Sequence, residues 1–358
     1  MHKIFDPAEL NTVGQFPIVG SDTYAIPGFF TDKLNTPITP RENWELFYNR
    51  QGPLWVPDMN NDMNFLYPEV IPDCVACSMT GGKDAFGSTW IPDVSNPSLP
   101  AFPEPGNVVL RDIADWRELD WPDPSKWDWD KAAEEHKILD PDRPNAVFFY
   151  SALFERMITL MGFENAAMSF YTDPDSTHAF IDRLLDYNLD VIEHLHKYLR
   201  CDVISFSDDW SSQQAPFFSP DIAYEFFYDH IRALVKRCHE LGMRFIHHSC
   251  GNGCAFVPVM IAEGVDQWQY NYEAVKGGIK DTIRAFGDRI LFDGYPGYVD
   301  PLPEDDVMFQ AEVRQFYEEY AGGMNSSFNV VDMKERSFDF RKFSYQVARE
   351  TACRNVKP

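Results

Sequence analysis

Residues 202–252 read DVISFSDDWSSQQAPFFSPDIAYEFFYDHIRALVKRCHELGMRFIHHSCGN, and this stretch decides the fold. Two short apolar runs, Val203–Phe206 and Met243–Ile246, each lead into reactive side chains, and one helical segment separates them. A strand, a helix and a second strand in this order predict a βα unit with parallel strands. Carboxylates, imidazoles and a thiol then follow the carboxyl ends of successive strands, where β/α barrels carry their functional groups.

The same alternation extends over residues 146–358. Apolar runs predict further strands at 147–150, 266–270, 290–293 and 326–330, with helical patterns between them. Asp173 and Pro174 predict the start of a long helix that reaches about Tyr198. No strand is followed by GxGxxG, so a closed (β/α)8 TIM barrel is favoured over a doubly wound nucleotide-binding sheet.

Residues 1–145 are irregular by comparison and rich in Pro, Asp and Trp. Thr39 and Pro40 predict a short helix, and Leu54–Val56 predicts the first barrel strand. Residues 57–145 are predicted to be mostly loop, which in a compact protein typically forms a lid or a substrate wall. We therefore expect one barrel domain over residues 1–358, with a long N-terminal loop and helix extension.

Composition excludes several classes of function. The net charge of −25 repels nucleic-acid phosphates, and no apolar run reaches the length of a transmembrane helix. Seven cysteines and the absence of a signal-peptide pattern at residues 1–10 favour reduced thiols and a cytoplasmic location. The 29 Phe, 16 Tyr and 9 Trp fit either a bulky core or a flat apolar ligand pocket.

His248 and Cys250 have the spacing of metal ligands at a strand end. Residues i and i+2 of a strand point the same way, so the imidazole and the thiolate can converge on one ion, and nitrogen and sulfur donors suit zinc. A catalytic zinc needs a third protein ligand, and the sequence leaves four candidates open: Asp209, Glu225, Cys254 and Asp293. The structural alternative is a buried thiol beside a hydrogen-bonded histidine.

Asp208 and Asp209 form a second candidate group. Adjacent strand residues point to opposite faces, so one carboxylate is expected to face the barrel interior. Two close carboxylates raise one pKa, which predicts a general acid near neutral pH, whereas the structural alternative is a helix cap or an ion pair. Substrate-binding candidates lie on the loops and strand ends around them: Asp84, Phe86, Trp90, Tyr150, Arg156, Trp210, Gln213, Asn252 and Tyr295.

Together these segments resemble the uroporphyrinogen decarboxylase superfamily from about Thr39 to the C-terminus. The matching pieces are Asp208–Trp210 with Gln213, Phe218–Pro220, His239–Gly242, His248–Asn252, Asp84–Trp90 and Leu153–Arg156. The resemblance implies a β/α barrel. It also implies either a decarboxylase or a methyltransferase that works with a corrinoid cofactor.

The methyltransferase branch is the more similar of the two. In its thiol-specific members the counterparts of His248 and Cys250 are zinc ligands, joined by a Cys near the last barrel strand. Residues 323–331 read GMNSSFNVV and contain no Cys. The Asp-Asp-Trp and Phe-Glu-Arg segments look most like the first methyltransferases of O-demethylase systems, which pass a methyl group from an ether to Co(I) of a separate corrinoid protein.

The resemblance thus implies a methyltransferase that demethylates an O-methyl substrate, in particular an aryl methyl ether. Asp208, Asp209 and His248 would be catalytic, and His248 and Cys250 would hold zinc. The partners would be a corrinoid protein and a small methoxylated molecule, with a homodimer left open. The alternatives are a decarboxylase of a porphyrinogen or other aromatic acid, a thiol or amine methyltransferase, and a binding barrel without catalysis.

Overall fold

A computed structural model of the chain describes residues 4–17, 30–78, 80–94, 101–150, 152–275, 277–295, 303–320, 325–328 and 336–355. Its strands are β1 (Thr12–Pro17), β2 (Phe30–Leu34), β3 (Asn64–Leu66), β4 (Gly82–Lys83), β5 (Thr89–Ile91), β6 (Phe102–Pro103), β7 (Asn145–Phe149), β8 (Val203–Ser207), β9 (Arg244–Ser249), β10 (Gln267–Asn271), β11 (Leu291–Tyr295) and β12 (Ser326–Phe328).

The α-helices are α1 (Pro40–Tyr48), α2 (Met59–Asp62), α3 (Trp129–Glu135), α4 (Phe154–Met161), α5 (Phe163–Thr172), α6 (Pro174–Leu199), α7 (Pro220–Phe226), α8 (Tyr228–Glu240), α9 (Val257–Glu263), α10 (Tyr272–Val275), α11 (Ile279–Phe286), α12 (Asp306–Tyr320) and α13 (Phe340–Asn355). Short 3₁₀ helices lie at Pro7–Leu10, Pro72–Cys77, Ile113–Glu118, Pro124–Lys126, His136–Ile138 and Cys254–Phe256. Among the described helices, none combines the length and the apolar content that crossing a bilayer requires.

A parallel sheet of seven strands forms the centre, in the order β12-β11-β10-β9-β8-β7-β3. All residues of β8 and β10 are buried, as is typical of parallel strands that are covered on both faces. From β7 onward each strand is followed by one or more helices, as the sequence predicts. This TIM-barrel-like arrangement confirms the predicted fold class.

Two helix starts show how local sequence sets these boundaries. Thr39 accepts the backbone N–H of Glu42, and the Glu42 side chain accepts the N–H of Thr39, so the predicted helix begins at Pro40 with both caps satisfied. Asp173 accepts the N–H of Ser176 at the start of α6. Both predicted starts are confirmed.

The prediction of a first barrel strand at Leu54–Val56 is wrong. The amide oxygen of Asn43 accepts the N–H of Leu54 at 2.7 Å, and its amide nitrogen donates to the carbonyl of Trp55 at 3.0 Å. These side-chain bonds occupy the backbone groups that a sheet would need. The strand that pairs with β7 is instead β3, where Asn64 lies opposite Asn145.

Residues 57–145 contain more regular structure than predicted. Strands β4, β5 and β6 form a small antiparallel sheet, and β1 pairs with β2 in an antiparallel ladder ahead of the barrel. Strands of two or three residues are too short to give an alternating pattern, which explains why the sequence did not reveal β4 to β6. The last strand is described for residues 326–328, and the remainder of the predicted segment lies outside the described residues.

Candidate active site

One layer of side chains crosses the barrel near the carboxyl ends of its strands. Strand pairing places its five members opposite one another in neighbouring strands: Ser207, His248, Gln269, Asp293 and Ser327. Residues opposite each other in a parallel sheet point to the same face, so this polar layer shares one side of the sheet. His247 points the other way, where its ring lies 4.7 Å from that of Trp210 in the core.

Asp209, His248 and Cys250 converge at the edge of this layer. One ligand atom from each lies within 4.8 Å of the other two. The Cys250 Sγ is 3.5 Å from His248 Nε2, and the Asp209 Oδ1 is 4.0 Å from the same nitrogen. The backbone N–H of Cys250 donates to Asp209 Oδ1 at 2.6 Å, which joins the end of β8 to the end of β9. The three donors thus face a common point.

The donor set fits a zinc ion. Nitrogen, sulfur and carboxylate oxygen are the usual zinc ligands, and three protein ligands with one open position define a catalytic site. Burial lowers the pKa of His248, which favours the neutral imidazole that a metal requires. Of the four candidates for a third ligand, Asp209 is the one that lies in the cluster.

The other three candidates lie elsewhere. Asp293 belongs to the polar layer and accepts hydrogen bonds from Gln269 and Ser327. Glu225 is exposed on α7. Cys254 begins a 3₁₀ helix and bonds the side chain of Thr282.

Asp208 faces away from this cluster and is fully buried. Its Oδ1 accepts the backbone N–H groups of Leu153 and Glu155 at the start of α4, and its Oδ2 accepts the Trp210 indole N–H at 2.8 Å. Burial raises the pKa of Asp208 to about 7, against these three donors, which favour the charged form. The structure therefore gives Asp208 the geometry of a helix cap, the alternative already open in the sequence.

Glu155 lies near both aspartates and was missed as a candidate in its own right. The Ser207 hydroxyl donates to its carboxylate at 3.1 Å. Burial and the neighbouring charges of Asp209 and Asp208 raise the pKa of Glu155 well above its ordinary value. The signal in the sequence was its position directly after β7, in the Phe-Glu-Arg segment.

Aromatic rings form a wall beside His248. The Phe148 ring lies 5.2 Å from the His248 imidazole and 4.6 Å from the Tyr150 ring. Phe65 and Tyr67 contact Phe148 at 5.9 and 6.2 Å. Phe65, Tyr67 and Tyr150 are partly exposed, so part of this aromatic wall is accessible to solvent. Tyr150 was expected here; the other three rings were missed because they lie on or after β3 and at the inward position of β7.

A second group of predicted binding residues forms a separate buried network. The Arg156 guanidinium bonds Asp84 at 2.6 Å and Asp73 at 2.9 Å, and it lies over the Phe86 ring. The Trp90 indole N–H also donates to Asp84 at 3.1 Å. Arg156 pairs with these aspartates of the N-terminal region rather than with Glu155 or Asp209. Contacts within the network join the N-terminal extension to α4.

The remaining predicted residues lie around the site in different settings. Trp210 is fully buried against Phe227 and Phe256. Gln213 is exposed on a turn closed by the bridge between Ser211 and Pro216. Asn252 is partly buried, and its N–H donates to the carbonyl of Ser212. Tyr295 ends β11, and its side chain lies outside the described part of the chain.

Residues 93–294 match the family described as Uroporphyrinogen decarboxylase (URO-D), which is more than half of the chain. The chain belongs to this family. The match spans β7 to β11 and therefore includes Asp209, His248 and Cys250. No curated protein sequence matches the chain.

The fold of this URO-D family member is similar to that of a methyltransferase of known structure. A methyltransferase from Methanosarcina mazei superposes with a TM-score of 0.58 at 14% identity, covering 89% of this chain and 98% of that one. D-Psicose 3-epimerase from Clostridium cellulolyticum H10 gives a TM-score of 0.37 at 11% identity, covering 64% of this chain and 81% of that one. At 14% identity, the similarity to the methyltransferase concerns the fold alone.

Proposed function

We propose that this URO-D family member is a methyltransferase that takes the methyl group of an O-methyl substrate, in particular an aryl methyl ether. The acceptor would be Co(I) of a corrinoid carried by a separate protein. The main support is the convergence of Asp209, His248 and Cys250 beside the partly exposed rings of Tyr67 and Tyr150. A donor set for a Lewis acid next to an aromatic wall suits a substrate whose ring stays bound while its oxygen departs.

The proposed transfer exchanges a carbon–oxygen bond for a carbon–cobalt bond. The methyl carbon forms a bond to cobalt with the electron pair of Co(I), which becomes methyl-Co(III). The C–O bond breaks, its electron pair stays on oxygen, and the resulting phenolate takes up one proton. Charge develops on that oxygen in the transition state, so stabilising it is the largest contribution that the protein can make.

The residues of the chain would share this work. Asp209, His248 and Cys250 would hold a zinc ion, which when bound supplies a Lewis acid for the departing oxygen. Phe148 and its aromatic neighbours would bind the ring and exclude water. Glu155, whose pKa is raised by burial and by the nearby aspartates, would hold the proton that the phenolate needs. Asp208 would orient α4 and Trp210 rather than react itself.

Some of the expected properties stay proposals of the same kind. The similar fold of the Methanosarcina mazei protein supports methyl transfer as the general activity, while the ether substrate and the corrinoid partner rest on the site residues and the sequence resemblance. The cytoplasmic location, the single-domain organisation and a homodimer likewise remain predictions. Transfer to or from a thiol or amine and a purely binding barrel remain alternatives.

The direct test incubates the protein with methoxyaromatic compounds and a reduced corrinoid protein, and follows conversion of Co(I) to methyl-Co(III) by absorbance. We expect conversion with at least one aryl methyl ether and release of the matching phenol. His248→Ala should abolish conversion. His239 is an exposed histidine at the end of α8, and the control variant His239→Gln should retain conversion. Conversion that survives His248→Ala would remove the cluster from the mechanism.

A decarboxylase is the second candidate because the matching family is described by that activity. Carboxylate substrates call for arginines at the site, yet Arg156 is occupied by Asp73 and Asp84. The same incubations with a porphyrinogen, scored for CO₂ release, separate the two. CO₂ release without any methyl-Co(III) from the ethers would favour the decarboxylase.

A further inference from the structure

A continuous hydrogen-bonded network lies behind the candidate metal ligands. The His248 Nδ1 bonds the Gln269 Oε1 at 2.7 Å, and the Gln269 Nε2 donates to Asp293 Oδ2 at 2.6 Å. The Ser327 hydroxyl donates to the other carboxylate oxygen, Asp293 Oδ1, at 2.8 Å. Gln267 donates to Ser327 at 2.6 Å and accepts from Tyr48 at 3.1 Å.

The direction of every bond in this network is set by chemistry. Ser327 accepts from the amide nitrogen of Gln267, so its one proton is free to go to Asp293. The ionised carboxylate has acceptors only, so above its pKa, which burial raises to about 6, Asp293 is the end point of both arms. The Gln269 amide must therefore present nitrogen to Asp293 and oxygen to His248. An oxygen at this distance from Nδ1 requires that Nδ1 carry the proton.

We propose that Gln269, anchored by Asp293, is a positioning residue that fixes His248 in the Nδ1–H tautomer and directs its Nε2 lone pair at Cys250 and Asp209. This inference rests on the proposed metal site for its purpose and on the hydrogen bonds alone for its geometry. Ring nitrogens of metal-binding histidines are commonly oriented by such a partner on the far side. Here the partner is an amide, held in one orientation by a carboxylate from the next strand.

Burial makes this positioning effective. Gln269 is 2% exposed and Asp293 is fully buried, so water does not compete for their bonds. Strand pairing fixes the spacing, because Gln269 lies opposite both His248 on β9 and Asp293 on β11. The imidazole is thus held before any ligand arrives, with Nδ1 directed at Gln269 and Nε2 on the side of Cys250 and Asp209.

The first test reads the tautomer directly. In metal-free protein labelled with ¹⁵N-histidine, the two ring nitrogens report by NMR which of them is protonated, and His248→Gln identifies the resonances. We expect the Nδ1–H form in the wild-type chain. The Nε2–H form there would overturn the proposal, and this measurement needs no variant of Gln269 to fold.

The second test uses Gln269→Met, which keeps the length of the side chain and removes its acceptor. We expect loss of the Nδ1–H preference and about a 10- to 100-fold weaker affinity for added Co²⁺, followed by absorbance. Gln315→Met is the control: the same exchange at an exposed glutamine on α12, which bonds Glu319 and lies outside the network. It should leave tautomer and affinity within about twofold of wild type.

A double variant distinguishes hydrogen bonding from packing. Gln269→Glu with Asp293→Asn exchanges the amide and the carboxylate, so the acceptor for His248 and the link between strands are both restored. We expect this pair to recover the Nδ1–H tautomer and most of the Co²⁺ affinity, whereas Gln269→Glu alone, facing Asp293, should not. If Co²⁺ fails to bind even the wild type, the metal proposal fails while the tautomer still decides the role of Gln269.

Discussion

The backbone of Gly251 lies directly against Ser211: a Cβ atom at Gly251 would stand 2.2 Å from the Ser211 carbonyl oxygen. Gly251 also has a φ of +78°, a conformation that other residues adopt at a cost. The contact presses the end of β9 onto the turn after β8, and Cys250 is the preceding residue. This close approach thus holds the thiol of the candidate metal cluster in place.

Gly251→Ala should therefore distort the cluster as well as destabilise the fold. Gly242→Ala is the matched control, since Gly242 has a φ of +76° with no atom near its missing Cβ. The control should lose only the conformational term, about 1–2 kcal/mol in urea unfolding, and keep its Co²⁺ affinity. Gly251→Ala should lose more stability and bind Co²⁺ more weakly. Equal behaviour of the two variants would show that the close contact is unimportant.

The identity of the sulfur ligand can be tested with two cysteines that lie four positions apart. Cys250→Ser should remove the thiolate-to-cobalt charge-transfer band from the spectrum of the Co²⁺-loaded protein, because Cys250 Sγ faces His248 Nε2 at 3.5 Å. Cys254→Ser should leave the band intact, because that thiol bonds Thr282 outside the cluster. A band that persists in Cys250→Ser and disappears in Cys254→Ser would exchange their roles.

The buried ion pairs of Arg156 give a prediction about stability. Arg156→Met leaves Asp73 and Asp84 without their cation in the interior, and we expect a loss of about 3–5 kcal/mol in urea unfolding. Arg237→Met is the surface counterpart, since Arg237 also bridges two carboxylates, Glu193 and Glu240. It should lose clearly less stability, because solvent screens exposed ion pairs.

Arg156→Met also tests whether Arg156 binds the substrate. If the network around Arg156 is structural, the variant should bind the methoxyaromatic substrate as well as the wild type at any temperature at which it remains folded. A folded Arg156→Met protein with a strongly raised KM would instead return Arg156 to the binding site.

The barrel was predictable because its strands are continuous apolar runs that end in polar clusters, and its helices begin at clear caps such as Thr39 and Asp173. The first strand was not predictable, since Leu54–Val56 is as apolar as β3 but has backbone groups bonded to the side chain of Asn43. These bonds join residues at least 11 positions apart, which a local sequence pattern does not reveal.

The candidate site likewise has a part that the sequence predicts and a part that it does not. Spacing within one strand end brought His248 and Cys250 together, because residues two apart on a strand share a face. Spacing between strands was not readable: the sequence does not state that Gln269 lies opposite His248, or that Asp208 caps α4. Those relations follow from the register of the sheet, which is set by packing of the whole barrel.

The buried carboxyl of Glu263 should make the stability of the fold depend on pH. Its side chain is 2% exposed at the end of α9, and neither carboxylate oxygen has a hydrogen-bond partner among the described residues. Burial, with a smaller contribution from Asp208, raises the pKa of Glu263 well above its ordinary value. The folded chain therefore keeps this proton at a pH at which the unfolded chain has already released it.

The direction of this pH dependence follows from the number of protons that each state binds. Below about pH 4, both states are protonated and Glu263 adds no pH dependence. As pH rises above the pKa of Glu263 in the unfolded state, the unfolded chain releases the proton and the folded chain keeps it. The free energy of unfolding therefore falls progressively until the pH reaches the raised pKa of the folded state. Glu263→Leu removes both the proton linkage and the unsatisfied oxygens, and we expect it to stabilise the chain by about 1–3 kcal/mol.

The measurement is urea unfolding of wild type and Glu263→Leu at pH 5 and pH 8. The stabilisation should be larger at pH 8, because there the unfolded wild type has an ionised Glu263 and folding must return this carboxyl to the apolar interior. Glu225→Leu, which removes an exposed carboxylate from α7, should change little between the two values. A Glu263→Leu variant that is less stable than wild type at pH 8 would mean that the carboxyl has a buried partner, such as water, that favours its charged form.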